Sequence, residues 1–338
     1  MTSVQVTAPA AVPARARAAA PHWQSVAVSV ARQAGRVVGR LILVLFGVLT
    51  LLFVLLHSAG NPAAAIAGQN ASPARVAQVS AQYGFNRPLI DQYGTFLWQS
   101  VRFNFGQSYQ EHIPATHVVL NLLPVTLELI ALAYVLALLV GIPLGLIEGL
   151  TRSRAYGGLM AVVVLIGQAI PVFASGTILV YFLSVQLGWL PSLASNGLDS
   201  GVAAVIMPIA VLALYPISRI LEVTRSGVRE SMQEDYIRTA QSKGAGPWRV
   251  VSRHAFRPVL TALVTVIGVD FAQMLSGGVL VEVIFAWPGL GPELVNAVSV
   301  RDYPVVASAT YCFAVIVVLT NLTTDLLYRW LDPRLRGR

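Results

Sequence analysis

The chain has 338 residues, of which 56% are hydrophobic and only 11% are charged, and its mean hydropathy is +0.68. Soluble domains carry about twice that share of charge, so the composition excludes a soluble domain and predicts a membrane protein with several spans. The net charge of +8 is better explained by basic cytoplasmic loops than by nucleic-acid binding, and the single Cys312 excludes a disulfide framework or a thiolate metal cluster.

The N-terminal segment is rich in Ala, Pro and Val without a helical period, which predicts a disordered cytoplasmic tail over 1–34. An apolar run at 41–56 predicts the first transmembrane helix, over 35–57. A basic flank, a short apolar core and the later "AAAIAG" are also typical of a cleavable secretory signal. We favour a retained span, because the apolar run begins far from the N-terminus and a five-span remainder would lose its charge asymmetry.

An extracytoplasmic region, the outer region, is predicted over 58–120. It opens on turn-forming residues, "HSAGNPAA", and then spaces apolar residues as short amphipathic helices do. These apolar positions are Val76, Val79, Tyr83, Leu89, Tyr93, Phe96 and Leu97. The helices either cap the other outer loops or form a docking face for an external partner. His57, His112 and His117 lack metal-binding spacing, so no metal site is expected.

Five further apolar runs lie within a predicted membrane core over 121–336, at 126–150, 156–187, 202–223, 259–281 and 305–328. With the first span they make six transmembrane helices, which places both termini on one side of the membrane. Pro171 predicts a kink in the third span, and Pro143, Pro208 and Pro216 predict bends elsewhere. The fold class is therefore an all-α membrane protein.

Basic residues are distributed unevenly about these spans. Of the 23 Lys and Arg residues, four lie in outer segments and the remaining 19, Arg219 among them, lie in inner ones. The outer four are Arg75, Arg87, Arg102 and Arg301. Because cytoplasmic loops carry the excess of basic residues, both termini and a polar loop at 230–258 are predicted to be cytoplasmic.

The polar loop contains "DYIRTAQSKGAGPWRVVSRHAF" at 235–256. Its first part, "RESMQEDYIRTAQSK", has a helical pattern, and Gly244 follows as a C-terminal stop. Pro247 suits the first position of a second, short helix, which ends where Pro258 returns the chain to the membrane. The alternative is a run of charge that only anchors the chain at the membrane interface. A basic stripe along the second helix consists of Arg249, Arg253 and Arg257.

The stretch "EDYIRTAQSKG" resembles the cytoplasmic coupling loop of the dipeptide and oligopeptide branch of ABC importer permeases. That branch has the pattern D-Y-[IV]-R-T-A-x-x-K-G, which this chain matches from Asp235 to Gly244. The chain departs from the broader importer-permease signature by Arg238, Thr239 and His254 in place of Glu, Ala and Ile. These departures are typical of the peptide branch.

Other segments resemble the same branch in the same order along the chain. They are "GFNRPLIDQYGTFL", "LPVTLELIALAYVLALLVGIPLG", "GGVLVEVIFAWPGLGPELVNAVSVRDYPVV" and "DLLYRWLDPRLR". The resemblance covers about 37–336, with Asn61 where the branch usually has Asp.

The resemblance implies a type I ABC importer permease fold with six transmembrane helices and a cytoplasmic coupling helix. Such a permease forms half of a pathway for di- or oligopeptides in the bacterial inner membrane, with a second homologous permease, two ATP-binding subunits and an extracytoplasmic binding protein. An outer-loop motif is implied at Trp287, Pro288, Gly289 and Gly291. Coupling residues are expected at Asp235, Tyr236, Arg238, Thr239, Ala240, Lys243, Gly244, Pro247, Trp248, Arg249 and Arg253.

Lys243 is the only lysine in the chain, and its context, "QSKGAG", is not a phosphate-binding loop. ATP and Mg are therefore expected on partner subunits. Neither a bound cofactor nor a catalytic residue is expected on this chain.

Three polar residues are candidates for the translocation pathway: Asp270, Gln273 and Glu282. A carboxylate at Asp270 facing lipid would cost about 2.5–3.5 kcal/mol, so it is expected to meet either a peptide amino terminus or a neighbouring helix. Glu282 is expected to fix an outer loop, with substrate contact as the alternative. Asp325 precedes Arg329 by four residues, a spacing that predicts a local ion pair.

A self-sufficient secondary transporter or channel for small solutes is the alternative function, although the chain has no evident inverted repeat. A membrane-embedded enzyme is disfavoured, because the sequence lacks paired acids, metal-ligand spacing and a nucleophile constellation.

Overall fold

The computed structural model describes residues 22–58, 62–68, 71–151 and 153–331. Side chains are described for residue 39 and, between 41 and 327, for all of those ranges except positions 62 and 65. The predictions for residues 1–21, Asn61, residues 332–338 and the Arg329 side chain therefore lie outside the described residues.

Regular secondary structure in the described ranges is helical, apart from an isolated β-bridge between Gln107 and Pro114. The α-helices are α1 His22–Ser58, α2 Pro62–Ala67, α3 Pro73–Tyr83, α4 Leu89–Val101, α5 Ala115–Leu150, α6 Arg154–Ala169, α7 Val172–Leu179, α8 Val202–Ser231, α9 Asp235–Ser242, α10 Pro247–Arg249, α11 Phe256–Phe285, α12 Leu290–Ser299 and α13 Tyr303–Leu331. π-helical turns at Val180–Gln186 and Val250–Ala255 continue α7 and α10, and a 3₁₀ turn lies at Gly197–Ser200.

Five stretches of the described chain are long and apolar enough to cross a membrane. They are Leu41–Ser58, Ala115–Leu150, Val202–Ser231, Pro247–Phe285 and Tyr303–Leu327. α6 and the helix that begins with α7 form a bent pair, at 107° to each other, in the position of the predicted third span. The all-α prediction is confirmed, and the kink predicted at Pro171 lies at this break. Pro143, Pro208 and Pro216 lie inside continuous helices.

Three predicted boundaries differ from the observed ones. α1 begins at His22, so residues 22–34, predicted within the disordered tail, are helical. α5 begins at Ala115, inside the predicted outer region of 58–120. The fifth span begins at Pro247, because the helix of the polar loop runs into it without interruption. Apolar runs mark the part of a helix that meets lipid, and the polar turns at either end extend beyond them.

The described residues divide into two units between Val44 and Leu45, and the packing contacts described here lie within the second unit. Its main core is built from buried apolar side chains of α5, α8 and α11, such as Leu129, Val211 and Leu275. A smaller cluster joins α5, α12 and α13. The helices that flank the polar loop therefore also form the main core.

A row of glycines lets α5 approach α8 closely. Gly141, Gly145 and Gly149 repeat every four residues and share one face of α5. A Cβ atom on Gly145 would lie 2.7 Å from the Leu221 carbonyl oxygen, and one on Gly149 would lie 2.9 Å from Val228. Small residues at this spacing permit close packing in lipid, where helices have no hydrophobic drive to associate. The glycine row therefore holds α8, which leads into the polar loop, against α5.

Within the outer region, α4 packs on the end of α1. The hydroxyl oxygens of Thr50 and Tyr93 lie 2.7 Å apart, and the Phe53 ring lies 5.2 and 5.7 Å from the rings of Tyr93 and Phe96. The predicted amphipathic helices are present as α3 and α4. α4 contacts α1, and the Tyr83 ring at the end of α3 meets the Tyr109 ring, so both helices pack on this chain. Capping of the other outer loops stays a prediction.

Candidate functional site

The polar loop contains a short helix held between two turns. α8 ends at Ser231 and α9 begins at Asp235, so the single helix predicted across this junction is wrong. Glu234 has extended backbone angles, which interrupt the helix before α9. Gly244 follows the end of α9 with φ +76°, a conformation that glycine adopts without strain. Gly244 therefore ends α9, as predicted.

One face of α9 is buried against the helix that follows it. Ile237 and Ala240 are 1% and 9% exposed, and Ile237 packs in a small cluster with Val250 and Ala255. Burial of an isoleucine side chain contributes roughly 1.5–3 kcal/mol. This small core fixes the angle between the two arms of the polar loop. Ala240, expected among the coupling residues, belongs to this buried face.

The remaining predicted coupling side chains are exposed. Trp248 is 78% exposed and Tyr236 is 42% exposed. Aromatic side chains that protrude in this way leave apolar area for a partner to cover. The exposed set consists of Asp235, Tyr236, Arg238, Thr239, Lys243, Gly244, Pro247, Trp248, Arg249 and Arg253.

A concavity of about 440 Å³ lies between α9 and the second arm of the loop. Lys243 and Arg249 give it positive charge. Asp235 and Arg238 form a local pair at 3.5 Å on the exposed surface instead. An acidic side chain of a docking protein suits this concavity, which is lined by Tyr236, Thr239, Ala240, Lys243, Gly244, Ala245, Arg249 and His254.

The second arm of the polar loop is not the short helix that the sequence predicted. It starts at Pro247, passes through the π turn and continues as α11 to Phe285. The Phe256 N–H donates to the Val251 carbonyl, five residues back, which is the π pattern. Pro258 does not end the helix, because the π turn has already replaced the regular hydrogen-bond ladder at this point.

Asp270 is buried in α11 beside Arg219 of α8. Arg219 Nε lies 3.9 Å from Asp270 Oδ1, and the two side chains are 33% and 1% exposed. Neither carboxylate oxygen has a hydrogen-bond partner among the described residues. The counter-charge expected for Asp270 is thus supplied by this chain, which favours the neighbouring-helix alternative over a peptide amino terminus. Arg219, predicted in an inner loop, lies within α8.

Gln273 lies one turn further along α11 and is exposed. It lines a cavity of about 280 Å³ at the break between α6 and α7, together with Gln168 and Tyr215. Gln168 Nε2 donates to Glu222 Oε2 at 3.0 Å. Gln273 lines one of the cavities described here, whereas Asp270 and Glu282, the other two predicted pathway residues, line none of them.

Glu282 lies inside the fold and fixes the start of α12. Its side chain is fully buried, and Oε2 accepts a hydrogen bond from the Gly291 N–H. A Cβ atom on Gly289 or Gly291 would collide with this carboxylate. The loop-fixing alternative is therefore favoured for Glu282 over contact with substrate.

The rest of the outer-loop motif packs on the beginning of the second span. Trp287 is fully buried and donates Nε1–H to the Val125 carbonyl at 3.2 Å. The Leu290 N–H donates to the Thr126 hydroxyl at 2.8 Å. The motif, with Pro288 in its turn, is a joint between α5, α11 and α12.

Comparison with known proteins identifies the family. The family described as binding-protein-dependent transport system inner membrane component matches residues 141–337, and its N-terminal counterpart matches residues 30–130. The chain belongs to this family. It is therefore an integral inner-membrane protein, as its apolar helices also indicate.

Similar proteins cover nearly the whole of this inner-membrane component. The di/tripeptide transport system permease protein DppB of Pseudomonas aeruginosa (strain UCBPP-PA14) is 36% identical over 327 residues, 89% of this chain and 97% of that protein. The dipeptide transport system permease protein DppB of Escherichia coli (strain K12) is 34% identical over 332 residues, 90% and 98% of the two chains. A putative peptide transport system permease protein of Brucella abortus (strain 2308) is 36% identical over 299 residues, 87% and 95%.

The fold is similar to that of a chain in a solved structure of the MetNI methionine ABC transporter in inward facing conformations. Its TM-score is 0.51 at 17% identity, over 63% of this chain and 96% of that chain. At this identity the likeness shows the fold alone. The predicted permease fold is confirmed.

An ion pair of this permease, at the ends of α5 and α8 next to the polar loop, was not predicted from the sequence. Glu148 is 1% exposed, and its Oε1 lies 3.0 Å from Arg225 Nη1. Arg229 Nη2 donates to the Glu148 carbonyl at 3.3 Å. The available signal was one acid at the end of an apolar span facing arginines four residues apart on another span. Counting those arginines as loop charges concealed it.

A second missed residue, Asp302, ties the outer region to the start of α13. Its Oδ2 accepts from the Ser108 hydroxyl and from the Tyr109 N–H. Burial raises the pKa of nearby Glu293, and the negative charges of Glu111 and Asp302 raise it further. Glu293 thus lies among acids that disfavour its ionisation.

Proposed function

We propose that this chain is a permease subunit of an ATP-driven importer and forms half of the translocation pathway for di- or oligopeptides. The substrate class is supported by relatives named for peptide, dipeptide and di/tripeptide transport, which match 87–90% of the chain. The family description, a binding-protein-dependent transport system, supports an extracytoplasmic binding protein as a partner.

The geometry of the polar loop carries the proposal that this chain is driven by partner subunits. The exposed Tyr236 lines a positively charged concavity, Trp248 is exposed on the second arm, and the buried Ile237 packs α9 against that arm. A rigid helix with exposed aromatic and basic side chains fits a groove with acidic walls on a second protein. One of two ATP-binding subunits, which hold ATP and Mg, receives this loop in a groove, and a second homologous permease completes the pathway.

Both termini and the polar loop face the cytoplasm in this proposal. Single cysteines at Trp248→Cys and Trp98→Cys, in a Cys312→Ser background, compare two exposed tryptophans on opposite sides. In intact cells a membrane-impermeant maleimide should label position 98, and label position 248 only after the membrane is opened. The reverse pattern contradicts the orientation.

Reconstitution of the assembly tests the function. Proteoliposomes containing both permeases, the ATPase subunits and the binding protein should accumulate labelled dipeptide when ATP is supplied on the ATPase side. Vesicles with this chain alone should not. Uptake by this chain alone, driven by an ion gradient, would support the secondary-transporter alternative instead.

A further inference from the structure

A pocket of about 410 Å³ lies in the outer region, between the end of α1, the turn from α3 to α4 and the start of α13. Its volume is within the range of small-ligand sites. Neither the docking of ATPases nor the cavity at the α6–α7 break involves this outer pocket. Its aromatic walls are Phe53, Tyr83, Phe85, Phe96, Phe105 and Tyr109.

Polar side chains line the outer pocket without partners of their own. Gln82, Gln99 and Gln107 line it, and their side-chain amides make no hydrogen bond within the described part of the chain. Tyr303 also lines it, is 8% exposed, and has a hydroxyl without a partner among the described residues. A buried hydroxyl without a partner is unfavourable, so a ligand that hydrogen-bonds to it gains affinity.

The charge of the outer pocket favours an anion. The exposed Arg87 lines it and has no ion pair among the described residues, and no Asp or Glu is present in the described lining. The Asp302 carboxylate lies behind this wall, where it accepts from the Ser108 hydroxyl and the Tyr109 N–H. The His57 ring is already engaged, with its nitrogens 2.9 Å from the Phe53 carbonyl and 3.1 Å from Gln92 Oε1. An unpaired guanidinium beside aromatic walls is suited to a carboxylate on a partly apolar ligand.

We propose that the outer pocket binds a free short peptide before translocation. Arg87 binds the terminal carboxylate, the glutamine amides and the Tyr303 hydroxyl bind the peptide's amide groups, and the aromatic walls hold an apolar side chain. This inference rests on the proposed function, because it takes the substrate to be a peptide. The three glutamines are exposed, so their amides are free to exchange water for the donors and acceptors of a peptide, whereas a lipid acyl chain offers them no hydrogen bond.

Peptide binding to the permease–ATPase complex in nanodiscs, without the binding protein, tests the proposal. The probes are labelled Ala-Phe and its C-terminal amide, measured by equilibrium dialysis. Arg87→Gln should weaken Ala-Phe binding about tenfold and leave binding of the amide within about twofold, because only the free peptide has a carboxylate. Tyr303→Phe and Gln99→Leu should each weaken the binding of both peptides about fivefold.

Matched controls come from the same region. Arg75→Gln and Gln110→Leu change exposed side chains of the same two types that do not line the outer pocket, and should leave both affinities unchanged. Because the buried Tyr303 hydroxyl has no partner among the described residues, Tyr303→Phe should not lower the melting temperature of the complex.

Two outcomes overturn the proposal. One is the absence of saturable Ala-Phe binding to a wild-type complex that takes up Ala-Phe with its binding protein, which leaves the proposed function standing. The other is unchanged peptide binding in all three variants with weaker binding of the binding protein, which assigns the surface to protein docking. Failure of the complete wild-type assembly to take up any peptide would overturn the proposed function as well.

Discussion

Arg219 Nε lies 3.9 Å from Asp270 Oδ1, between two helices that share the main apolar core. Both groups retain buried atoms without hydrogen bonds among the described residues. Buried charges are tolerated when they are paired, and the loss of one partner leaves the other uncompensated. The pair therefore constrains how α8 and α11 meet.

Substitution of Arg219 by methionine should destabilise the permease more than loss of the pair as a whole. Arg219→Met leaves the buried Asp270 without its counter-charge, and we expect a loss of about 3 kcal/mol, at the low end for buried pairs because Arg219 is partly exposed. The double variant Arg219→Met/Asp270→Asn should recover most of it. Thermal unfolding of the detergent-purified complex measures both, with Arg238→Met as the exposed control. A double variant less stable than the single one would contradict this account.

The glycine row on α5 should tolerate no added methyl group. A Cβ atom at Gly145 would lie 2.7 Å from both the Leu221 carbonyl oxygen and Thr224 Cβ, so Gly145→Ala forces α5 and α8 apart. We expect a loss of about 1–3 kcal/mol, measured as a lower melting temperature. Gly158→Ala on α6 is the control, because no atom lies within 4 Å of its added Cβ. Equal melting temperatures for the two variants would show that the close approach is unimportant.

Charge reversal on the exposed loop should separate ATP hydrolysis from transport. Arg253 is exposed on the second arm of the polar loop, where a glutamate would face the acidic groove expected on the ATPase. In Arg253→Glu we expect the ATP consumed per peptide transported to rise about tenfold, measured in proteoliposomes. Arg75→Glu reverses an exposed charge in the outer region and should leave this ratio unchanged. An unchanged ratio in both variants would remove Arg253 from the docking surface.

The stability of the permease should depend on pH through Glu293. Its folded-state pKa is raised, chiefly by burial and then by Glu111 and Asp302, so the folded chain holds this proton to higher pH than the unfolded chain. Stability from this group therefore falls as pH rises through the ordinary glutamate range towards the raised pKa. Glu293→Gln should raise the melting temperature near neutral pH and lose that advantage in acid. Exposed Glu230→Gln is the control, and a gain independent of pH would exclude this cause.

Periodicity and motifs predicted the helical class, the apolar spans and the outer helices, because lipid requires long apolar helices whatever their partners are. The break before α9 was not predicted, because Gln233 and Glu234 fit a helical pattern and only tertiary packing of Ile237 decides where the helix restarts. Hydropathy also missed that α10 continues into α11. A polar helix joined end to end with an apolar helix has the pattern of two separate helices.

The site was predicted unevenly for a similar reason. A resemblance of motifs supplies the expected coupling residues. The partners Arg219, Glu148 and Asp302 are instead defined by contacts between segments far apart in the sequence. The count of basic residues placed Arg219 and Arg225 in solvated inner segments. Both lie within 4 Å of a buried acid, Asp270 or Glu148, so they take part in the packing of the membrane helices.

The unbroken run from Pro247 to Phe285 has 39 residues, which corresponds to about 58 Å of helix. One end carries Trp248 and the other adjoins the buried Trp287 joint, so a single rod connects the two faces of the membrane. Asp270, paired with Arg219, lies near the middle of this helix. If a docked partner tilts the Trp248 end about this point, the opposite end moves in the reverse direction. The opposite mouth of the pathway can thus be moved by leverage, without a relay of side-chain rearrangements.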